Sequence, residues 1–222
     1  MDKQSSTGKP SFWDGWNRPP NLVTFSRIIL VVVFLGLYIG AGPWGYRNMG
    51  MRWAAAIIFI IAASTDKIDG YLARKHNQVT ELGKLMDPIA DKLLTLGTII
   101  VAACFNEFGN VWLGWIVTAL FLIREIGITV MRFFVVEHDG KVIAASQLGK
   151  YKTLTQCLGL GMLLIPVWSF VHAGTTPVWL TIYFVVTYTL IYLSLILCLY
   201  SGWQYVSGVL RASRKHAKAH AA

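Results

Sequence analysis

Six long apolar stretches dominate the chain and restrict the folds open to it. They cover residues 22–41, 51–75, 86–105, 110–137, 150–172 and 177–202, with turn-forming or polar residues between them. A helix needs roughly 20 mostly apolar residues to cross a bilayer. Only 14% of the residues are charged, whereas about 25% are charged in an ordinary soluble domain. The pattern predicts an all-α polytopic integral membrane protein with six transmembrane helices.

The basic residues predict how these helices are oriented. The net charge is +9, and Lys and Arg gather before the first stretch, around the second and fourth connections, and in the C-terminal tail. The opposite side has only Arg47 and Arg52, near the first connection. Because cytoplasmic loops are enriched in Lys and Arg, we expect a protein of the cell membrane with both termini in the cytoplasm. Topology and contacts with membrane lipids account for the positive charge, so no nucleic-acid partner is expected.

The same pattern divides the chain into three regions. Residues 1–20 combine aromatic and basic side chains, and we expect a short amphipathic cytosolic segment that lies on the membrane surface. Residues 21–205 form the predicted six-helix domain. Residues 206–222 are a basic, Ala-rich cytosolic tail, which we expect to be disordered and close to anionic headgroups.

Four aspartates interrupt the second and third apolar stretches. Asp66 and Asp69 are three residues apart, and Asp87 and Asp91 are four apart, so each pair shares one face of its helix. The connection between the two helices is short, which makes them antiparallel neighbours. Ionisable groups inside a membrane are costly and mark functional sites, and oxygen-only ligands select Mg²⁺ or Mn²⁺. The four carboxylates therefore predict a site for two such ions, an arrangement suited to displacement at phosphorus.

Two other interpretations of the aspartates are open. They could form salt bridges with Lys67, Arg74 and Lys92 or cap helices, although these cations are too few to pair with every carboxylate. They could also belong to an ion transporter, because acidic residues within spans mark ion pathways. The transporter hypothesis requires matching charges in the outer halves of the spans, and we expect none there.

The aspartates belong to a longer motif, D-x-x-D-G-x-x-A-R-x8-G-x-x-x-D-x-x-x-D, which runs from Asp66 to Asp91. It resembles the signature of the CDP-alcohol phosphotransferases, to which the six-span plan is also similar. The resemblance implies a homodimeric enzyme that displaces CMP from a CDP-linked lipid with an alcohol hydroxyl, and it implies that Asp91 is the general base. The residues expected to bind CDP-diacylglycerol are Thr24, Asp69, Gly70, Ala73, Arg74 and Thr80.

Three further segments concern the acceptor alcohol. They are P-N-x-x-T-x-x-R over residues 20–27, R-E at 124–125, and G-K-x-K-T-x-x-Q over 149–156. In order and position they resemble the members of that family that use glycerol 3-phosphate. A phosphorylated acceptor needs cations besides the metal ions, because its dianion must approach an anionic pyrophosphate. We expect this acceptor clamp to comprise Arg27, Arg124, Arg132, Lys150 and Lys152.

The same cations allow other interpretations. Arg132, Lys150 and Lys152 could simply extend towards the inner membrane interface. Inositol phosphate would need the same clamp, whereas phosphatidylglycerol would need a second lipid groove, so both are alternative acceptors. Glu125 either orients one of the arginines or pairs with Arg27.

Overall fold

The computed structural model describes the backbone of residues 19–76, 81–139, 147–171 and 176–220, and the side chains of residues 25–65, 89–131, 149–171 and 176–209. All of its described secondary structure is helical, which confirms the all-α prediction. The six α-helices are α1 (Pro19–Ala41), α2 (Met49–His76), α3 (Glu81–Cys104), α4 (Val111–Asp139), α5 (Gln147–Leu164) and α6 (Val178–His220). Short 3₁₀ turns occupy Pro43–Gly45 and Val167–Phe170.

Local turn chemistry sets several helix ends. α1 ends at Ala41, before Gly42 and Pro43. Gly42 has a φ of 72°, which glycine adopts without a steric penalty because it has no Cβ. Asn106, with a φ of 55°, redirects the chain after α3. The Asn110 side-chain oxygen then accepts a hydrogen bond of 2.9 Å from the backbone N–H of Trp112 and so caps α4.

The helices form one bundle that is apolar both inside and outside. α1 packs on α2 and α3, α5 packs on α6, α4 contacts α3 and α6, and both α2 and α3 contact α5. Phe34, Phe59 and Phe121 are buried in the core. On the outer faces, however, Ile29 is 64% exposed and Ile123 is 72% exposed. An apolar exterior of this kind suits burial in lipid rather than contact with water.

Three helical stretches of the described part are long and apolar enough to cross a membrane: Val111–Met131, Gly149–Phe170 and Val178–Val209. Two shorter apolar helices, Phe25–Ala41 and Met49–Thr65, accompany them. The prediction of six helices is therefore confirmed. The prediction that all six cross the membrane stays a prediction.

A buried ion pair holds one end of the bundle together. Arg52 of α2 donates hydrogen bonds to both carboxylate oxygens of Glu107, at 2.7 and 2.9 Å, and both side chains are 0% exposed. Arg52 also donates to the main-chain oxygens of Leu163 and Leu164 in α5, at 2.9 and 3.0 Å. The Tyr38 hydroxyl of α1 donates to Glu107 at 2.6 Å. We call this the Glu107 end; the opposite end, where α3 begins, is the Asp91 end.

This ion pair corrects one expectation drawn from the sequence. Charges were expected to be absent from the half of the spans opposite the aspartates, yet Arg52 lies there, in the first turn of α2. The correction does not favour an ion pathway, because the carboxylate and guanidinium of the pair are fully enclosed and hydrogen-bonded. The position of Arg52 near the first connection does not indicate Glu107 as its partner, because the two residues are 55 positions apart.

The C-terminal segment also differs from the expectation. α6 runs without a break from Val178 to His220, so the prediction of a disordered tail after residue 205 is wrong. Ala, Arg and Lys are strong helix formers, and their abundance in this segment explains why the helix continues. The three-region division of the chain otherwise stays a prediction, since residues 1–18 lie outside the described part.

Candidate active site

The backbone places the four aspartates at two matching heights. Asp66 lies ten residues before the last residue of α2, and Asp91 lies ten residues after the first residue of α3. Asp69 and Asp87 lie seven and six residues from the same two helix ends. The helices contact each other and run in opposite directions. Because Arg52 of α2 meets Glu107 just after α3, and both helices rise about 1.5 Å per residue, each aspartate of α2 lies at a height similar to that of one aspartate of α3.

The donor set fits a hard divalent cation. It consists of carboxylate oxygens, on two contacting helices, at matching heights. Asp91 is the one predicted metal ligand whose side chain lies in the described part, and within that part no group of three or more His, Cys, Asp or Glu residues is close enough to hold a metal. The side chains of the other predicted metal ligands and donor-binding residues lie outside the described part of the chain. They belong to Thr24, Asp66, Asp69, Gly70, Ala73, Arg74 and Asp87, and Thr80 lies outside the described part altogether.

Next to Asp91, three buried or half-buried cationic side chains surround Glu125. Lys152 of α5 and Arg124 of α4 both donate hydrogen bonds to the Glu125 carboxylate, the latter at 2.9 Å. Lys92, the residue after Asp91, donates to the main-chain oxygen of Glu125 at 3.2 Å. Glu125 and Lys152 are each 8% exposed. Two cationic side chains thus meet the Glu125 carboxylate, and a third reaches the main-chain oxygen of the same residue.

These contacts decide between the two expectations for Glu125. It pairs with Arg124 and Lys152, so it orients members of the predicted clamp. One further contact comes from α6, whose Cys198 thiol donates to the same carboxylate at 3.7 Å. Glu125 therefore joins α4, α5 and α6 at the height at which Lys92 arrives from α3.

Arg124 is turned mainly towards α6. Its Nε donates to the main-chain oxygen of Cys198 at 2.8 Å, and its Nη2 donates to the Ser201 hydroxyl. With Nη1 on Glu125, all three guanidinium nitrogens have protein partners. Two N–H groups remain for a ligand, so Arg124 both links α4 to α6 and retains some capacity to bind an anion.

The other predicted clamp residues are placed differently. Lys150 is exposed, and about 200° of helix separates it from Lys152, so the structure does not bring it into the Glu125 cluster. Arg27 of α1 is 2% exposed. Within the described part, the ion-pair partners of Glu125 are Arg124 and Lys152 and do not include Arg27. Arg132 lies on α4 with a side chain outside the described part. Among the predicted cations, the structure brings together Lys152 and Arg124.

Comparison with known proteins decides the family. The sequence profile of the CDP-alcohol phosphatidyltransferase family matches residues 17–200. The chain belongs to this family. The match covers α1 to α5 completely and α6 as far as residue 200, so the carboxylate helices and Glu125 with its cationic partners lie inside the family domain.

Relatives within the CDP-alcohol phosphatidyltransferase family carry a consistent name. A Bacillus subtilis protein named CDP-diacylglycerol–glycerol-3-phosphate 3-phosphatidyltransferase is 34% identical over 85% of this chain and 93% of its own length. An Escherichia coli protein of the same name is 35% identical over 65% of this chain and 75% of its own. A Mycobacterium tuberculosis protein named probable phosphatidylglycerophosphate synthase is 37% identical over 71% of both chains.

One residue of the family domain escaped a role in the sequence analysis. Gln156 ends the G-K-x-K-T-x-x-Q segment, and it is 2% exposed. Neither its amide nitrogen nor its amide oxygen has a hydrogen-bond partner within the described part of the chain. In the sequence, Gln156 stands out only as a lone amide in an apolar helix, one turn beyond Lys152. Spacing alone does not show that this amide is buried.

Proposed function

We propose that this protein transfers the phosphatidyl group of CDP-diacylglycerol to sn-glycerol 3-phosphate, giving phosphatidylglycerophosphate and CMP. The family supplies the reaction class, and the names of the relatives point to this pair of substrates. The observation that carries the choice of acceptor is the buried, cation-rich cluster around Glu125, beside Asp91. A phosphorylated alcohol supplies an anion that Lys152 and Arg124 can bind with charged hydrogen bonds, whereas a neutral alcohol does not.

Each reactant would have its own group of residues. Asp91 would accept the proton from the primary hydroxyl of glycerol 3-phosphate. The hydroxyl oxygen then forms a bond to the phosphorus that carries diacylglycerol, and the bridging bond from this phosphorus to CMP breaks, with CMP keeping the electron pair. Lys152, supported by Arg124, would hold the acceptor phosphate. Glu125 would keep both cations in place before the phosphate arrives.

The remaining site assignments are parts of the same proposal. Asp66, Asp69, Asp87 and Asp91 would hold two Mg²⁺ or Mn²⁺ ions. Bound there, the ions would neutralise charge on the pyrophosphate and on the departing CMP. The residues proposed to contact CDP-diacylglycerol are Thr24, Asp69, Gly70, Ala73, Arg74 and Thr80, and those proposed to assist at the acceptor phosphate are Arg27, Arg132 and Lys150.

The site also has a proposed place in the cell. Six spans with cytoplasmic termini would put the Asp91 end at the cytoplasmic face of the cell membrane, because the predicted site residues and most basic residues occupy that end. A soluble acceptor would meet a lipid donor there. We further propose a homodimer, on the resemblance to the family.

The proposal is tested by measuring CMP release from CDP-diacylglycerol by the purified full-length protein. Glycerol 3-phosphate, glycerol, inositol phosphate and phosphatidylglycerol are offered separately as acceptors. We expect release with glycerol 3-phosphate, its loss with EDTA, and its recovery with Mg²⁺ or Mn²⁺. Asp66→Asn serves as the inactive control, since it removes a proposed metal ligand.

Each alternative gives a different result in this assay. Preference for inositol phosphate or phosphatidylglycerol would keep the family reaction and overturn the acceptor. Equal rates with glycerol and glycerol 3-phosphate would show that the cationic cluster holds no phosphate. Activity that survives thorough chelation would remove the metal ions from the proposal.

A further inference from the structure

Gln156 of α5 has a buried side-chain amide for which the described part of the chain offers no hydrogen-bond partner. It is 2% exposed, and both polar atoms of the side chain lack a hydrogen bond within the described part of the chain. A buried polar group left unsatisfied costs about 1–3 kcal/mol. Native proteins leave few such groups, and each one calls for an explanation. A ligand that bonds to the amide would provide it.

The position of Gln156 relates it to the acceptor cations. It lies four residues after Lys152 on α5, so the two side chains project from the same helix face, about 6 Å apart along the axis. Further along that face, Leu160 and Leu163 are buried in the apolar core. Gln156 is thus the last polar residue on this face before the core, one turn deeper than the lysine.

Asp91 lies at the height of Lys152 rather than of Gln156. Its neighbour Lys92 reaches the main-chain oxygen of Glu125, and Lys152 reaches the carboxylate of the same residue. α3 and α5 also contact each other directly. Asp91, Lys152 and Gln156 therefore form a triangle: an anionic group and a cation at one level, and a neutral amide one turn deeper.

A small acceptor with three functional groups matches this triangle. Lysine suits a phosphate, and a carboxylate suits a hydroxyl that must lose its proton. An amide both donates and accepts hydrogen bonds, as a hydroxyl does. Glycerol 3-phosphate has one phosphate, one primary hydroxyl that reacts, and a secondary hydroxyl between them. We propose that the Gln156 amide binds this secondary hydroxyl and is a specificity-determining residue for the acceptor.

This inference rests on the proposed function and deepens it. A site that hydrogen-bonds a substrate hydroxyl discriminates strongly against an analogue that lacks it, because the protein group is then left buried and unpaired. The suitable analogue is 3-hydroxypropyl phosphate, which keeps the phosphate and the primary hydroxyl but has no secondary hydroxyl. Wild-type protein should therefore use it much less efficiently than glycerol 3-phosphate.

The test is the Gln156→Met variant, which keeps the length of the side chain and removes its polar atoms. We expect kcat/KM for glycerol 3-phosphate to fall by roughly 5–150-fold, because the secondary hydroxyl would be buried without a partner, which costs about 1–3 kcal/mol. The value for 3-hydroxypropyl phosphate should stay the same or rise. The KM for CDP-diacylglycerol should not rise and the melting temperature should not fall, since the Gln156 amide has no hydrogen bond to lose within the described part of the chain.

Thr155→Val is the matched control, because Thr155 bonds only to main-chain oxygens of its own helix among the described residues, and it should keep the wild-type preference. An equal loss for both acceptors, or a raised KM for CDP-diacylglycerol, would overturn the assignment of Gln156 to the secondary hydroxyl. Unchanged discrimination in Gln156→Met would overturn it as well. If wild-type protein releases no CMP with glycerol 3-phosphate, the proposed function itself fails, which is a separate outcome.

Discussion

At the scale of single residues, Asp91 is the group on which the proposed proton transfer depends. The Asp91→Asn variant keeps the shape of the side chain but cannot accept the acceptor proton. We expect kcat to fall by about 10²–10⁴-fold, the usual cost of losing a general base, while binding of CDP-diacylglycerol is largely retained. Turnover and donor binding should be measured on the same preparation. Turnover within a few-fold of wild type would exclude Asp91 as the base.

Lys152 and Lys150 provide a matched pair for the acceptor clamp. Lys152 is 8% exposed and bonds to Glu125, whereas Lys150 is exposed. Lys152→Met should lower kcat/KM for glycerol 3-phosphate by roughly 10–150-fold, since charged hydrogen bonds are worth about 1.5–3 kcal/mol. Lys150→Met should change it less than about threefold, because an exposed charge is largely screened. The measurement is steady-state kinetics with varied glycerol 3-phosphate at a fixed concentration of CDP-diacylglycerol. A larger loss in Lys150→Met than in Lys152→Met would assign the acceptor phosphate to Lys150.

The sequence could identify the chemistry of these residues but not all of their partners. The spacing of the aspartates and the cations near residues 124 and 150 were visible in one dimension, and α2, α3, α4 and α5 bring them to one end of the bundle. Whether Lys150 or Lys152 faces the interior depends on the rotation of α5 about its axis. Near-uniform hydrophobicity around a membrane helix hides that rotation, so both lysines looked equivalent.

At the scale of helices, the contact between α5 and α6 depends on Gly159. An added Cβ there would lie 2.8 Å from Cγ1 of Ile191 and 3.1 Å from its backbone nitrogen. Gly159→Ala should therefore lower the melting temperature in detergent, because backbone atoms cannot yield as a flexible side chain can. Gly36→Ala is the control: a Cβ at Gly36 has nothing within 4 Å, and helix propensity favours Ala over Gly by about 0.8–1 kcal/mol. Equal melting temperatures for the two variants would mean that α5 and α6 are farther apart at Gly159 than these distances indicate.

The Glu107 end offers a second test of how the helices are joined. Arg52→Met would leave Glu107 buried without its cation, and breaking a buried pair by removing one partner costs about 3–5 kcal/mol. We expect a marked loss of thermal stability in detergent, whereas Arg47→Met should be close to wild type because Arg47 is exposed. If Arg52→Met melted as wild type does, the hydrogen bonds to Leu163 and Leu164 would not contribute to helix packing.

Helix boundaries were easier to predict than helix partners. The predicted stretch 51–75 became α2 at Met49–His76, and 86–105 became α3 at Glu81–Cys104. The stretch 150–172 was too long, because Pro166 cannot continue α5 beyond Leu164. The pairing of Arg52 with Glu107 joins residues 55 positions apart. Apolar patterning contains no information about such a pairing, since it defines helices without stating which ones meet.

At the scale of the whole molecule, the number of membrane crossings decides where the chemistry takes place. Three described helical stretches are long and apolar enough to cross a membrane. The helix order nevertheless alternates between the two ends of the bundle, because Arg52, at the start of α2, contacts both the segment after α3 and the end of α5. If α4, α5 and α6 cross the bilayer, the shared bundle requires the other helices to run through the same layer.

Reporter fusions along the chain test this arrangement. Alkaline phosphatase is active only outside the cytoplasm, whereas green fluorescent protein fluoresces only inside it. Fusions after residues 46, 108 and 175 should show phosphatase activity, and fusions after residues 78, 143 and 222 should fluoresce, because the basic residues favour a cytoplasmic Asp91 end. Fluorescence together with absent phosphatase activity at residue 108 would contradict six spans. Reversed signals at every site would keep the six spans but put Asp91 and the Glu125 cluster on the outer face, where a cytoplasmic acceptor could not reach them.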